Sequence, residues 1–332
     1  MGHGGDLGEA RALIGEADDE ALPWIDLSTG INPRPYHFSP LKPDMWARLP
    51  ARQEQRALLD AARGYYAVPE GAEIVAAPGS DALIQLLPEL LPAGRVAIAG
   101  PTYREHEKAW ARRGKVTIAA DAAEAANAGD IVVLVNPNNP DGRTVPPETL
   151  AEMADALSRR GGWLIVDEAF ADTVPGVSAV GLVPRRNVLV LRSFGKFFGL
   201  AGLRLGFAVA PPALAETLHA RLGPWPASGP AIAIGKQALA DAAWQKASLD
   251  QLSRDAAALE DLLTRAEFEI VGGTPLFRLA VHPVAEEIFF RLLRRHIYVR
   301  RFAERPDWLR FGLPADHQAF ERLKAALTGD LR

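Results

Sequence analysis

The sequence predicts an α/β protein in which a mostly parallel, seven-stranded sheet lies between helices and a smaller α+β domain follows. Three observations carry this reading. From about Gln53, short apolar runs rich in Val and Ile alternate with helical patterns, the rhythm of strand and crossover helix. The runs are continuous rather than alternately polar, as strands covered on both faces require. The length of 332 residues exceeds the roughly 250–300 at which a single core stops growing, so a second lobe is expected.

Residues 1–50 hold "MGHGGDLGEA" and "STGINPRPY", whose glycines and prolines read as an irregular N-terminal arm. A large domain is expected over 51–248. It opens with "EQRALLDAARGYY" as helix and "EIVAA" as strand, then "DALIQLLPELL" as a helix with Ser80 or Asp81 at its N-cap. "RVAIA" is a strand, "YREHEKAWARRG" a helix, "KVTIAA" and "IVVLVN" strands, and "PPETLAEMADALSRRG" a helix. "WLIVDEA", "NVLVLRS" and "LGFAVA" complete the sheet. Two long helical patterns, about Ala231–Trp244 and Leu249–Arg265, carry the chain away from it. Residues 249–332 read as a small α+β domain built from "FEIVGG", "LFRLAV", the helix "VAEEIFFRLLRRH", "IYVRRF", "WLRFGL" and a last helix.

Composition narrows the function. A net charge of −4 gives no reason to expect nucleic acid, which attracts basic faces. No apolar run reaches the ~18–20 residues of a membrane helix, and the first residues lack the pattern of a signal peptide. There is no cysteine for a disulfide, thiolate or thiolate metal site, and the seven histidines make no ligand spacing. A cytoplasmic, metal-independent globular protein is the expectation.

Ligands of such sheets sit outside the carboxyl ends of the strands, so the residues after each strand are the ones to read for chemistry. "EIVAA" leads through "PGSDAL" into a helix, where the amides of Gly79, Ser80 and Asp81 either start a plain helix or hold a phosphate. After "RVAIAG", Tyr103 is either a core aromatic or a flat face for a planar ring. "NPNNPDG" is a turn by composition, yet Asn139 beside a rigid proline is also a fixed donor. Asp167 of "DEAF" is either solvated or, facing a pocket, able to hold a proton on a ring nitrogen.

The last of these segments is "RSFGKFFGLAGLRLGF", in which Ser193 precedes Lys196 by three residues and Arg204 follows it by eight. Lysine is rarely buried without a partner. An amine that forms a Schiff base must be neutral part of the time, and burial beside a cation such as Arg204 lowers its pKa. A lysine, a carboxylate, an amide donor, an aromatic and an anion cradle on one rim are together what pyridoxal phosphate needs.

The motifs "NPNNPDG", "DEAF" and "SFGKFFGLAGLRLGF", in this order and at these separations, resemble those of fold-type I pyridoxal-phosphate enzymes of the aminotransferase superfamily, over about Trp24 to Ala325. The resemblance implies pyridoxal 5'-phosphate as cofactor, with Lys196 as its Schiff-base lysine, Asp167 on the pyridine nitrogen, Asn139 on the phenolic oxygen and Tyr103 stacked on the ring. It assigns the phosphate to Ser193, Arg204 and the Gly79–Asp81 amides, joined by Tyr66 from the second subunit of a homodimer. It also places Arg310 of "WLRFGL" on the substrate's α-carboxylate.

Two branches share these motifs. Histidinol-phosphate aminotransferases carry "DEAY" and an "RYPD"-like segment, where this chain has Phe170 and "RLPA" over Arg48–Ala51. "HGGDLGEA", "WIDLSTGINPRPY" and "GPWPASGPA" are instead similar to segments of the threonine-phosphate decarboxylases of cobalamin synthesis. The expectation from this resemblance is decarboxylation of L-threonine O-3-phosphate, with transamination of histidinol phosphate or another amino acid as the alternative. The catalytic groups serve both reactions, so placement of the substrate selects the product. Arg310 and whatever grips the substrate phosphate decide it, and His3, Arg300 and Arg301 are the candidates for that second anion. "YVRRF" is otherwise an ordinary strand with solvated charges.

Overall fold

The apolar runs become strands β1 (Ile25–Leu27), β2 (Glu73–Ala77), β3 (Val96–Ala99), β4 (Val116–Ala119), β5 (Ile131–Val135) and β6 (Trp163–Asp167). They continue as β7 (Val188–Ser193), β8 (Gly206–Ala210), β9 (Glu269–Thr274), β10 (Phe277–Val281), β11 (Ile297–Phe302) and β12 (Arg305–Gly312). The structure is a computed structural model that describes residues 4–15, 23–185 and 187–328. The chain divides into a larger unit, 35–139 with 143–245, and a smaller one, 1–34 with 140–142 and 246–332.

The larger unit is built on a seven-stranded sheet of order β2-β8-β7-β6-β5-β3-β4. Neighbours are parallel except at β8, which runs antiparallel to both β2 and β7. Every residue of β3, β5, β7 and β8 is buried, which is the burial that continuous apolar runs demand. Val75, Val133, Ile165 and Leu191 meet Leu83 and Leu87 of helix Ser80–Leu90, Trp110 of helix Arg104–Ala111 and Leu218 of helix Pro212–Leu222. Each such side chain taken from water contributes about 1.5–3 kcal/mol.

Register positions the site. Val135 lies beside Asp167, Asp167 beside Leu191, and Ser193 beside Gly206. The carboxyl ends of β5 and β6 therefore finish level, β7 runs two residues further, and the segments that follow them leave from one rim.

The smaller unit holds a five-stranded sheet of order β1-β11-β12-β10-β9, in which β1 pairs parallel with β11 and the other pairs are antiparallel. Helix Ala285–Leu293 packs on β11 and β12 and on helix His317–Thr328.

Three local expectations change. The arm contains a helix, Leu7–Ile14, whose N-cap Asp6 accepts the N–H of Glu9 at 3.1 Å and which ends at Gly15 with a φ of 70°. An acid followed three residues later by Glu was the available signal, and the glycines around it hid it. Helix Ser80–Leu90 is preceded by Gly79 at the N-cap, with no side-chain bond, rather than by Ser80 or Asp81. The two long helical patterns are Gly229–Ala240 and Ala242–Arg265, broken at Asp241, whose Oδ1 accepts the N–H of Trp244 at 3.0 Å.

Candidate active site

The rim of the larger unit encloses a cavity of about 140 Å³. Its lining brings together Gly79, Ser80, Asp81, Tyr103, Asn139, Asp167, Ser193, Lys196 and Arg204, along with Phe170. These residues leave five different strands, so the cluster is a product of the sheet's register rather than of any local sequence.

Asp167 ends β6 and is 3% exposed. Its Oδ1 accepts the N–H of Ala169 at 3.0 Å, and its Oδ2 lies 2.9 Å from Nε2 of His106. Donation to a carboxylate requires the hydrogen on Nε2. His106 is 1% exposed and was not singled out by the sequence reading. The available signal was helical spacing, since His106 stands three residues beyond Tyr103 on helix Arg104–Ala111 and therefore returns to the same side. The two rings meet edge to face, with centroids 6.2 Å apart. Burial, with Asp81 and Asp167 nearby, pushes the Tyr103 phenol up, so it stays protonated and neutral.

Lys196 lies on the single turn Phe194–Phe197 and is half-buried, its Nζ 5.7 Å from the centroid of the Phe170 ring. Arg204 adopts a left-handed φ of 54° and lies against Gly79. Gly79 itself has a φ of 90°, and a Cβ there would stand 2.6 Å from Nη2 of Arg204. Its conformation thus requires glycine, and the missing side chain leaves room for the guanidinium. Gly206 is needed for closeness alone, because a Cβ would meet the backbone N of Ser80 at 2.3 Å.

The three amides of "NPNN" divide by role. Asn136 ties down the loop by donating to the carbonyls of Val145 and Val177 and accepting the N–H of Val145. Asn138 accepts from Thr102 Oγ1 at 2.6 Å and donates to the Pro101 carbonyl at 3.0 Å. Asn139 is the one of the three that lines the cavity.

Tyr66, expected to join the phosphate site from a second subunit, is not among the residues that line this cavity. The side chain is 5% exposed inside its own unit, with Phe207 packed on its ring and the Arg192 guanidinium 4.4 Å from its centroid. Below the rim, Arg192 bonds Oε2 of Glu168 at 2.6 Å and pairs with Asp172. Burial pushes the Glu168 and Asp172 carboxyls up, while Arg192 opposes it.

The arginines expected to meet the substrate belong to the smaller unit. Arg300 and Arg310 are register partners on β11 and β12, so their side chains share one sheet face. Arg310 is 7% exposed and donates from Nη2 to the Ser28 carbonyl at 2.8 Å. Burial, with Arg300 beside it, pushes its pKa down to about 10. Arg301 alternates to the other face, against the Phe289 and Phe290 rings and 3.8 Å from Oε1 of Glu286. His3 lies outside the described residues.

This chain is 42% identical over 331 residues to a threonine-phosphate decarboxylase of Pseudomonas aeruginosa, covering 98% of this chain and 97% of that one. A threonine-phosphate decarboxylase of Sinorhizobium sp is 43% identical over 329 residues, again with 98% and 97% coverage. Among solved structures, the histidinol-phosphate aminotransferase of Clostridium acetobutylicum superposes with a TM-score of 0.79 at 22% identity, covering 91% of this chain and 98% of that one, and shares the fold. The family described as aminotransferase class I and II matches residues 46–327. The chain belongs to the aminotransferase class I and II family.

Proposed function

We propose that this protein is a pyridoxal-phosphate-dependent threonine-phosphate decarboxylase, converting L-threonine O-3-phosphate and a proton into carbon dioxide and (R)-1-amino-2-propanol O-2-phosphate for cobalamin synthesis. The observation that carries this reading is the 42–43% identity, over nearly the full length, to two decarboxylases of that name, and a cavity that gathers Lys196, Asp167 and Asn139 supports it.

The donor set fits pyridoxal 5'-phosphate. Lys196 offers an amine for its aldehyde, Asp167 an acceptor for its ring nitrogen and Asn139 a donor for its phenolic oxygen. Ser193, Arg204 and the start of helix Ser80–Leu90 offer a phosphate cradle in which Gly79 lets Arg204 approach. Bound there, the cofactor supplies an electron sink for the bond that breaks at the substrate's Cα.

The remaining chemistry belongs to the chain. Asp167, held on both oxygens, keeps a proton on the ring nitrogen by a charge-assisted bond. Arg310 holds the α-carboxylate by a forked pair, and Arg300 on the same sheet face takes the substrate phosphate. Which Cα bond is aligned for cleavage follows from that grip. Lys196 then delivers a proton from Nζ to Cα. The same reading includes a homodimer and a cytoplasmic setting; among the described residues no helix is long and apolar enough to cross a membrane.

The test is to supply the purified protein, with pyridoxal 5'-phosphate, with L-threonine O-3-phosphate or with histidinol phosphate plus a keto acid. Carbon dioxide is expected from the first. Glutamate from the second, with no carbon dioxide from the first, would replace decarboxylation with transamination. The Lys196→Ala protein is expected to lose the visible absorbance of lysine-bound cofactor and to slow turnover by on the order of 10³-fold.

A further inference from the structure

The carbonyl that receives Arg310 is itself fastened by the N-terminal segment. Ser28 is fully buried. Its N–H and its hydroxyl both donate to Oδ1 of Asp26, at 2.8 and 2.5 Å, while its Oγ accepts the N–H of Gly5 at 2.7 Å. Gly4 lies flat against the same residue. A Cβ on Gly4 would stand 2.3 Å from the Ser28 carbonyl oxygen and 2.9 Å from its Oγ. That oxygen is the acceptor of Arg310 Nη2, so room for Gly4 and the seat of the guanidinium are fixed by one atom.

The sheet gives this contact consequence. Asp26 is the register partner of Tyr298 on β11, and Arg300 is the partner of Arg310, so Asp26, Arg300 and Arg310 share one face. Two guanidiniums on adjacent strands repel, and burial deprives Arg310 of water. A planar fork of donors in that position is held by the direction of its hydrogen bonds. A displaced Ser28 carbonyl therefore turns the guanidinium.

We propose that Gly4, Gly5 and Ser28 form a latch that positions Arg310 for the substrate's carboxylate, making the N-terminal segment a determinant of substrate affinity. The inference rests on the reading of Arg310 as the carboxylate's partner. None of the three residues touches the reaction; they act through Arg310.

Gly4→Ala and Ser28→Ala test it with two ligands, because the amine phosphate product keeps the substrate's phosphate and lacks its carboxylate. Gly4→Ala is expected to raise KM for L-threonine O-3-phosphate about tenfold, the scale of one weakened bond to a charged group. Ser28→Ala, which removes the Oγ anchor and leaves room for Gly4, is expected to raise it about threefold. The Ki of 1-amino-2-propanol O-2-phosphate and the visible absorbance of lysine-bound cofactor stay at wild-type values in both. Equal losses of KM and Ki would mean that the segment only supports the fold, and unchanged KM in both variants would remove the latch altogether. Should the wild type transaminate instead, the functional reading falls and the latch is read on glutamate, which has a carboxylate, against histidinol phosphate, which has none. It survives that case only if the KM for glutamate alone rises.

Discussion

His106 shows what a single buried side chain does for a site. Its Nε2–H fills the Asp167 oxygen that the Ala169 amide does not, so the carboxylate is held in one orientation. His106→Leu removes that donor from a buried charge, a loss of about 1.5–3 kcal/mol, or roughly 10–100-fold in carbon dioxide release. Lysine-bound cofactor should persist, since Lys196 and the phosphate cradle are untouched, and His106→Gln should restore much of the rate by returning a donor. Full activity in His106→Leu would show that Asp167 needs no such support. At this scale the sequence was readable where a residue type is chemically scarce. A lysine among glycines and phenylalanines and an aspartate at a strand end announce themselves. Neither His106 nor the burial of Tyr66 does, because "YREHEKAW" and "RGYY" look like ordinary helix ends, and only packing decides which ring turns inward.

Between elements, a buried salt-bridged cluster links two of the strands whose ends line the cavity. Glu168 follows Asp167 at the end of β6, and Arg192 precedes Ser193 on β7, so their 2.6 Å bond joins the two strand ends one residue away from the cavity. Arg192→Met would leave two buried carboxylates with their cation gone. Breaking such a pair from one side costs about 3–5 kcal/mol. Urea unfolding should show that loss, and Arg192→Met combined with Glu168→Gln and Asp172→Asn should recover part of it; an unchanged midpoint in the single variant would show that the network contributes nothing net. The sheet itself was legible because buried parallel strands advertise themselves as β-branched runs. β1 was not: three residues long, it exists through pairing with Ile297–Val299, some 270 positions away, and no local pattern encodes that.

For the whole molecule, the division into units separates the groups assigned to the cofactor from those assigned to the substrate's anions. The nine cavity residues named for pyridoxal phosphate all fall in the larger unit, while Arg300 and Arg310 fall in the smaller. The sequence pointed to two lobes by its length and by the change of strand and helix pattern near Leu249; it held no sign that "NPNNPDG" is split, with Asn139 in one unit and Pro140–Gly142 in the other. Ligand linkage makes the division measurable, because a ligand stabilises what it binds by about 2.7 kcal/mol at a hundredfold excess over its Kd. Added pyridoxal 5'-phosphate should therefore slow amide exchange by up to about 100-fold in the segments around Gly79–Asp81, Tyr103–His106 and Ser193–Gly206. The β9–β10 hairpin of the smaller unit should exchange at its original rate. In Lys196→Ala the protection should shrink, since the covalent anchor is gone while the phosphate cradle remains. Equal protection in both units would mean that they open together, and the separation of cofactor and substrate groups would then have no energetic counterpart.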